Sequence, residues 1–330
     1  SFSFDCQIPA AAYQLALVIQ GAGHYRKAVL TRLFDPDYEL LPSPPYQMVS
    51  AEPEKIEFTL YKNAMKVNDA NITIKGQEAY HSESGATAFA HIDREDTATF
   101  DQFAKQIKLE KAVNILYLGD SLTHFDLGHN HVDKTAFFLN KYNPGKVSAH
   151  NYACGGDDIQ RVVKRLQGDT SGKWGKRYHD LWTREYDWAF VFLGHNDTKA
   201  SSLKNFEEAL IPPQLQEKLY EELISILEEK KIKRIILISA SSSNFAICKA
   251  NSDKSKGGHN RFGEPRHLEA FNSILKKLSE KHQLEYMDIY QTMKSLANKA
   301  ELLNPKDGVH LTAAGHSFMA QQTLKYLAEK

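Results

Sequence analysis

The sequence predicts an α/β protein, with a three-layer α/β/α domain over residues 106–330 preceded by a smaller β-sandwich-like domain over residues 1–105. Two observations predict this division. In the first hundred residues, short apolar runs alternate with turn-forming segments, a pattern typical of small antiparallel domains. From about residue 111, compact runs that are apolar on both faces alternate with segments of helical periodicity, which indicates a parallel sheet covered by helices.

The N-terminal region contains five short apolar runs that we interpret as strands. Turn-forming sequences such as Asp35-Pro36-Asp37 separate these runs. Several short strands at this spacing are typical of a small sandwich. The predicted strands are residues 13–19, 27–34, 55–61, 71–74 and 87–92.

The C-terminal region alternates predicted strands with predicted helices, which is why we expect three layers. The predicted strands are residues 113–118, 146–151, 188–193 and 235–240, and the predicted helices are residues 100–108, 213–231, 267–282 and 313–330. The polar stretch at residues 251–266 is long for a connection in a compact domain. We expect it to be either a lid over the substrate or a disordered loop.

Composition and charge exclude several classes of partner. Lys plus Arg (41) equals Asp plus Glu (41), so no field of one sign is available to attract nucleic acid or an anionic membrane. No uninterrupted apolar stretch of about 18 residues is present, so we expect no membrane span. The three cysteines form neither a zinc pattern nor a disulfide framework. We therefore expect a small neutral or carbohydrate-like partner.

The chain begins with Ser1 and without an initiator methionine, as a chain does after a leader is cleaved or its start is trimmed. We favour a secreted or periplasmic location over a cytoplasmic one. The sequence leaves the oligomeric state open.

Four polar blocks follow predicted strands or precede the last predicted helix. They are residues 119–122 (GDSL), 154–157 (CGGD), 194–197 (GHND) and 307–311 (DGVHL). Because ligands of open parallel sheets bind at the carboxyl ends of the strands, we expect these blocks to converge.

The residues in these blocks are those that acyl transfer requires. A serine hydroxyl such as that of Ser121 needs a base to take its proton, and the imidazole of His310 is suited to that role. Asp307 can orient the second ring nitrogen of His310. The N–H groups of Ser121 and Gly156 and the side-chain amide of Asn196 can stabilise the oxyanion.

The four blocks, in this order, resemble the motifs of the SGNH (GDSL-like) hydrolase superfamily. The resemblance covers about residues 111–330 and implies a flavodoxin-like α/β/α fold and ester hydrolysis without metal or other cofactor. It implies the catalytic triad Ser121, Asp307 and His310, with Ser121, Gly156 and Asn196 forming the oxyanion hole. Gly156 is preferred to its neighbour Gly155 because the glycine of the family often precedes an Asp.

Each block alone has an ordinary explanation. Residues 119–121 could merely end a strand, residues 194–197 could cap a helix, and residues 307–308 form a common turn sequence. Four blocks in the right order, each at a predicted strand end, favour catalysis.

Two further histidines are candidates for substrate contact. His195 has no carboxylate beside it except Asp197, so a substrate-facing or structural role is favoured over that of the base. His124, three residues after the nucleophile, is the second candidate.

Residues 126–133 have a spacing that resembles a metal site, since His129 and His131 are flanked by Asp126 and Asp133. We favour a solvated or pocket-rim role for this segment.

Cys154 and the tryptophans are expected to be structural. A catalytic thiol at Cys154 would need a base of its own, so a buried small residue is favoured. Trp174, Trp182 and Trp188 more often pack than stack on sugar rings.

The predicted substrate is an acetylated carbohydrate. The Gly-His-Asn-Asp form resembles that of some carbohydrate esterases, and an N-terminal β-sandwich resembles their accessory domains. The alternatives are a short-chain esterase or lysophospholipase-like hydrolase, and an inactive carbohydrate-binding protein.

Overall fold

The computed structural model describes residues 58–61, 64–67, 70–73, 94–125, 130–172 and 174–330. In the N-terminal region, three short strands form an antiparallel sheet in the order β1 (Phe58–Tyr61), β2 (Ala64–Val67), β3 (Ala70–Thr73). β1 and β3 overlap two predicted strands, whereas β2 was missed. The predicted strands at residues 13–19, 27–34 and 87–92 lie outside the described residues, so the β-sandwich stays a prediction.

A five-stranded parallel sheet forms the centre of the C-terminal region. Its strands are β4 (Val113–Gly119), β5 (Val147–Asn151), β6 (Trp188–Phe192), β8 (Arg234–Ile238) and β10 (Glu285–Met287). They lie in the order β10-β8-β6-β4-β5. Numbered within this sheet, the order is 2-1-3-4-5, that of flavodoxin-like sheets, and the direction of winding changes between β4 and β6. The predicted α/β fold with a parallel sheet is confirmed.

Helices cover both faces of the sheet. The helices are α1 (Arg94–Ala104), α2 (Ser121–His124), α3 (His131–Tyr142), α4 (Ile159–Leu166), α5 (His195–Thr198), α6 (Pro213–Glu229), α7 (Phe245–Lys254), α8 (Pro265–His282), α9 (Ile289–Lys294) and α10 (Ala313–Ala328). Along β4, Ile115 and Tyr117 join the core under α1, α3 and α10, while Leu116 and Leu118 join the core under α4, α6 and α8. Because successive side chains of a strand point to opposite faces, this alternation requires apolar residues on both.

Helix α1 packs on the α/β layers although it lies before the predicted domain boundary at residue 105. Phe100 is buried, and its ring meets that of Phe138 edge to face at 5.0 Å between centroids. Ala104 is buried in the same core. On these contacts we propose that the α/β domain includes α1.

About half of the stretch at residues 251–266 is helix or strand. Helix α7 continues to Lys254, and a two-residue strand β9 (Asn260–Arg261) pairs antiparallel with β7 (Ala200–Ser201). Short regular elements thus interrupt the stretch, and its role as a lid over the substrate stays a prediction. None of the described helices is both long enough and apolar enough to cross a membrane.

Candidate active site

Ser121 lies where β4 ends, beside the point at which the sheet changes its direction of winding. A side chain at Gly119 would place Cβ 2.7 Å from Thr123 Oγ1 and 2.9 Å from the carbonyl oxygen of Phe192, so glycine lets the chain turn tightly against β6. Asp120 then caps α2, accepting a hydrogen bond from the N–H of Leu122 (2.9 Å). Ser121 is consequently the first residue of α2.

The structure brings Ser121, His310 and Asp307 into one hydrogen-bonded chain. His310 Nε2 lies 2.9 Å from Ser121 Oγ, and His310 Nδ1 lies 3.1 Å from Asp307 Oδ2. With the proton on Nδ1, the imidazole donates to the carboxylate and leaves Nε2 free to accept the serine proton. This geometry is that of a nucleophile, a base and a carboxylate that orients the base.

Asp307 is held in place by the backbone of its own block. Its Oδ1 accepts the N–H groups of Val309 and His310, both at 2.8 Å. Partial burial alone would raise the pKa of Asp307, but the hydrogen bonds from the His310 ring and these two N–H groups lower it below its ordinary value. Asp307 therefore stays ionised at neutral pH. Gly308 has a φ of +75°, and a Cβ there would lie 2.6 Å from the carbonyl oxygen of Asn244, so this turn requires glycine.

The two glycines of the second block differ in what their N–H groups do. The N–H of Gly155 donates to His124 Nδ1 at 3.0 Å. The N–H groups of Gly156 and Ser121 have no acceptor among the described residues. Gly156 also has a φ of +86°, a conformation that L side chains rarely adopt. Gly156 is thus the glycine whose N–H is available to a ligand.

Asn196 completes the set of predicted oxyanion donors. Its Nδ2 lies 3.4 Å from Asp120 Oδ2, and its Oδ1 lies 3.5 Å from Lys199 Nζ. An amide nitrogen carries two hydrogens, so the bond to Asp120 leaves the second one for a substrate oxygen. Burial raises the pKa of Asp120 to about 6, although the N–H of Leu122 and the charge of His310 oppose the rise.

His195 and His124, the two candidates for substrate contact, are both buried. His195 is buried, with Nε2 3.0 Å from Ser241 Oγ, and burial together with the charge of His310 lowers its pKa to about 4. His124 is fully buried and accepts the N–H of Gly155. Both rings are thus engaged by neighbouring protein groups, and their contact with a substrate stays a prediction.

The described end of the metal-like segment, His131 and Asp133, is buried, as is Cys154. His131 is buried in α3, with Nε2 3.3 Å from Thr123 Oγ1, and burial lowers its pKa to about 3. Asp126 and His129 lie outside the described residues, and the described part contains no cluster of three or more potential metal ligands. Burial raises the pKa of Cys154 to about 12, which keeps its thiol protonated.

Two side chains that support the glycine block were not identified from the sequence. Arg165 forms a buried two-bond pair with Asp157 (2.8 and 3.0 Å), and Trp174 Nε1 donates to the carbonyl oxygen of Gly155 (3.0 Å). The spacing along the chain gives no signal that links position 174 to position 155.

Comparison with known proteins gives a family model and a set of similar folds. The model of the GDSL-like Lipase/Acylhydrolase family matches residues 117–318. Comparison with curated proteins gives no match.

Three solved structures illustrate the set of similar folds. The lipase/acylhydrolase from Enterococcus faecalis has 18% sequence identity and a TM-score of 0.50, over 66% of this chain and 96% of that one. LAE5, an alpha/beta hydrolase from the metagenome of Lake Arreo, Spain, has 16% identity and a TM-score of 0.47, over 66% and 98%. Axe2, an acetylxylan esterase from Geobacillus stearothermophilus, has 19% identity and a TM-score of 0.46, over 67% and 96%. At 18% identity, the likeness to the Enterococcus faecalis lipase/acylhydrolase shows a shared fold.

Proposed function

We propose that this chain, which belongs to the GDSL-like lipase/acylhydrolase family, is a serine esterase that removes small acyl groups, acetyl in the first place, from a carbohydrate. Family membership makes the chain an acylhydrolase. The triad, the acyl group and the alcohol are the parts that we propose.

The observation that carries the proposed triad is the hydrogen-bonded chain from Ser121 through His310 to Asp307. As Ser121 Oγ attacks the ester carbonyl carbon, His310 Nε2 takes the hydroxyl proton, and Asp307 stabilises the imidazolium. The imidazolium then protonates the departing alcohol oxygen, which leaves an acyl-enzyme on Ser121. Water, deprotonated by His310, attacks this acyl group and releases the acid and the free serine.

The proposed oxyanion hole consists of the N–H groups of Ser121 and Gly156 and the second Nδ2 hydrogen of Asn196. Such donors act because they point to the place where negative charge develops, without needing to reorganise during the reaction. Their support is that the two N–H groups have no acceptor among the described residues and that Asp120 orients the Asn196 amide.

Two observations support a short acyl group and a polar alcohol. Phe125 stacks on the ring of His310, with 5.7 Å between centroids and 21° between planes, which restricts the space beside the nucleophile. On the oxyanion side, Arg161 Nη1 donates to the carbonyl oxygen of Gly156 (2.8 Å), and Lys199 lies beside Asn196. A rim of charged groups suits a hydroxylated alcohol better than a hydrocarbon chain.

The first test is hydrolysis of p-nitrophenyl acetate by the wild type and by Ser121→Ala in the presence of a chelator. The wild type should be active, and kcat of the variant should fall by about 10⁴-fold to 10⁶-fold, the cost of losing a serine nucleophile. Ser273→Ala is the matched control, because the Ser273 hydroxyl bonds only within the exposed face of α8. Activity of Ser121→Ala equal to that of the control would exclude the proposed nucleophile.

The second test compares release of acetate from acetylated oligosaccharides with hydrolysis of a long-chain p-nitrophenyl ester. We expect kcat/KM to favour the acetylated sugar. The reverse preference would favour the lysophospholipase-like alternative, and sugar binding without hydrolysis of any ester would favour the inactive binding protein.

A further inference from the structure

Two aromatic side chains hold the peptide groups of Gly155 from both sides. His124 Nδ1 accepts the N–H of Gly155 at 3.0 Å, and Trp174 Nε1 donates to the carbonyl oxygen of Gly155 at 3.0 Å. The two rings also meet each other edge to face, 4.6 Å between centroids. We call His124 and Trp174 the Gly155 clamp.

The bond from Trp174 acts on the N–H of the next residue. The carbonyl of Gly155 and the N–H of Gly156 belong to one planar peptide group, in which they point in opposite directions. A donor on this carbonyl therefore fixes the direction of the Gly156 N–H, and it strengthens that N–H as a donor by polarising the peptide. The N–H itself has no acceptor among the described residues, so it is available to a ligand.

Glycine at position 155 needs such support because its own conformational freedom is large. Its lack of a side chain is dictated by space, since a Cβ would lie 2.7 Å from Phe125 Cε1. Arg161 holds the far side of the turn through the carbonyl oxygen of Gly156 (2.8 Å). The clamp supplies the contacts on the near side.

We propose that His124 and Trp174 are positioning residues of the oxyanion hole, which aim the N–H of Gly156 at the carbonyl oxygen of the ester. This inference rests on the proposed function, because an oxyanion forms only if the chain hydrolyses esters by nucleophilic attack. It also gives a role to His124 that its burial allows, in place of the substrate contact predicted from its sequence position.

Trp174→Phe tests the donor half of the clamp. This change keeps an aromatic ring and removes the N–H. The matched control is Trp182→Phe, which removes an indole N–H that donates to another backbone carbonyl, that of Leu166 (2.9 Å) at the C-terminal end of α4. Loss of an entire oxyanion donor lowers kcat by about 10²-fold to 10³-fold, so loosening one should lower it by about 10-fold. We expect this loss for Trp174→Phe on p-nitrophenyl acetate, with KM changed by less than about two-fold, and wild-type kcat for Trp182→Phe.

His124→Asn and His124→Leu test the acceptor half. The Oδ1 of Asn can take the position of the His Nδ1 and accept the same N–H, whereas Leu has similar bulk and no acceptor. We expect kcat of His124→Leu to fall by about 10-fold and that of His124→Asn to recover to within about three-fold of the wild type.

A trifluoromethyl ketone supplies the readout that a purely structural role would not move. Its adduct with Ser121 carries an oxyanion, so its inhibition constant should rise by the same factor by which kcat/KM falls in Trp174→Phe. The inference would be overturned if Trp174→Phe bound the ketone as tightly as Trp182→Phe does, or if the two His124 variants had equal kcat. In either case the activity of the wild type would still uphold the proposed function. An inactive wild type would instead overturn the proposed function, and the inference with it.

Discussion

Replacing Asp307 by Asn changes one atom at the end of the proposed catalytic relay, and the local hydrogen bonds decide how the new side chain sits. One carboxylate oxygen accepts two backbone N–H groups at 2.8 Å, and the other accepts His310 Nδ1 at 3.1 Å. An amide has only one oxygen. If that oxygen keeps the two backbone bonds, a single donor–donor contact arises at His310; if the amide flips, two such contacts arise. The amide NH₂ will therefore face the imidazole.

This orientation forces His310 into the wrong tautomer. Nδ1 must become the acceptor of the new amide, which moves the proton to Nε2, the nitrogen that lies 2.9 Å from Ser121 Oγ. A protonated Nε2 cannot take the serine proton. In serine hydrolases the equivalent change lowers kcat by about 10⁴-fold, which corresponds to about 5 kcal/mol of barrier. Since both backbone bonds survive, we expect little change in the midpoint of thermal unfolding.

The assay is the steady-state kcat for p-nitrophenyl acetate together with a thermal melt of each variant. Asp288→Asn is the matched control, because Asp288 also accepts a backbone N–H (Gln291, 3.0 Å) at the start of a helix but lies outside the proposed site. If Asp307→Asn kept more than about a tenth of the wild-type kcat, control of the tautomer by Asp307 would be refuted.

Two further results are expected. Gly155→Ala should lower the free energy of unfolding in urea by about 1–3 kcal/mol, the usual cost of overpacking. It should also lower kcat, because the new Cβ would lie 2.7 Å from Phe125, which stacks on His310. Wild-type stability and kcat would contradict this expectation. Asp197→Asn should be more stable than the wild type at pH 8 and above. Burial raises the pKa of Asp197 to about 8, above its unfolded value of 3.8, so the wild type loses stability as pH rises between about 4 and 8. Urea unfolding across this range should show the advantage of Asp197→Asn shrinking toward pH 4, and an advantage that grew there would refute the assignment.

The central strands could be predicted because both of their faces are buried. All residues of β4 except Asn114 are buried, so an unbroken apolar run is nearly unavoidable there. The edge strand β10 has three residues, of which only Met287 is buried, and such a strand leaves no pattern that separates it from a loop. The first helix was predicted at residues 100–108, whereas α1 spans Arg94–Ala104. Its apolar contacts, such as that of Phe100 with Phe138, depend on packing against residues distant in sequence.

The proposed triad could be identified because its chemistry restricts the residue types and because strand ends converge. The orientation of neighbouring side chains could not be obtained in the same way. His124 lies one helical turn after Ser121, and His195 directly precedes Asn196. Both rings are nevertheless buried in the interior. Proximity in sequence to a catalytic residue does not fix the side of a short helix on which a residue lies, since consecutive side chains of a helix differ by about 100° in direction.

The carboxylates around the oxyanion side pose an electrostatic problem, since negative charge near a forming oxyanion raises its energy. Asp157 is neutralised by its two hydrogen bonds to Arg165. Asp197, with its pKa raised to about 8 by burial, carries a proton at neutral pH. The charge of His310 lowers the pKa of Asp120. By reciprocity, ionised Asp120 favours the imidazolium of His310. Asp120 and Asp307 therefore stabilise the charge on the base, while Arg165 balances the charge of Asp157 and burial keeps Asp197 protonated.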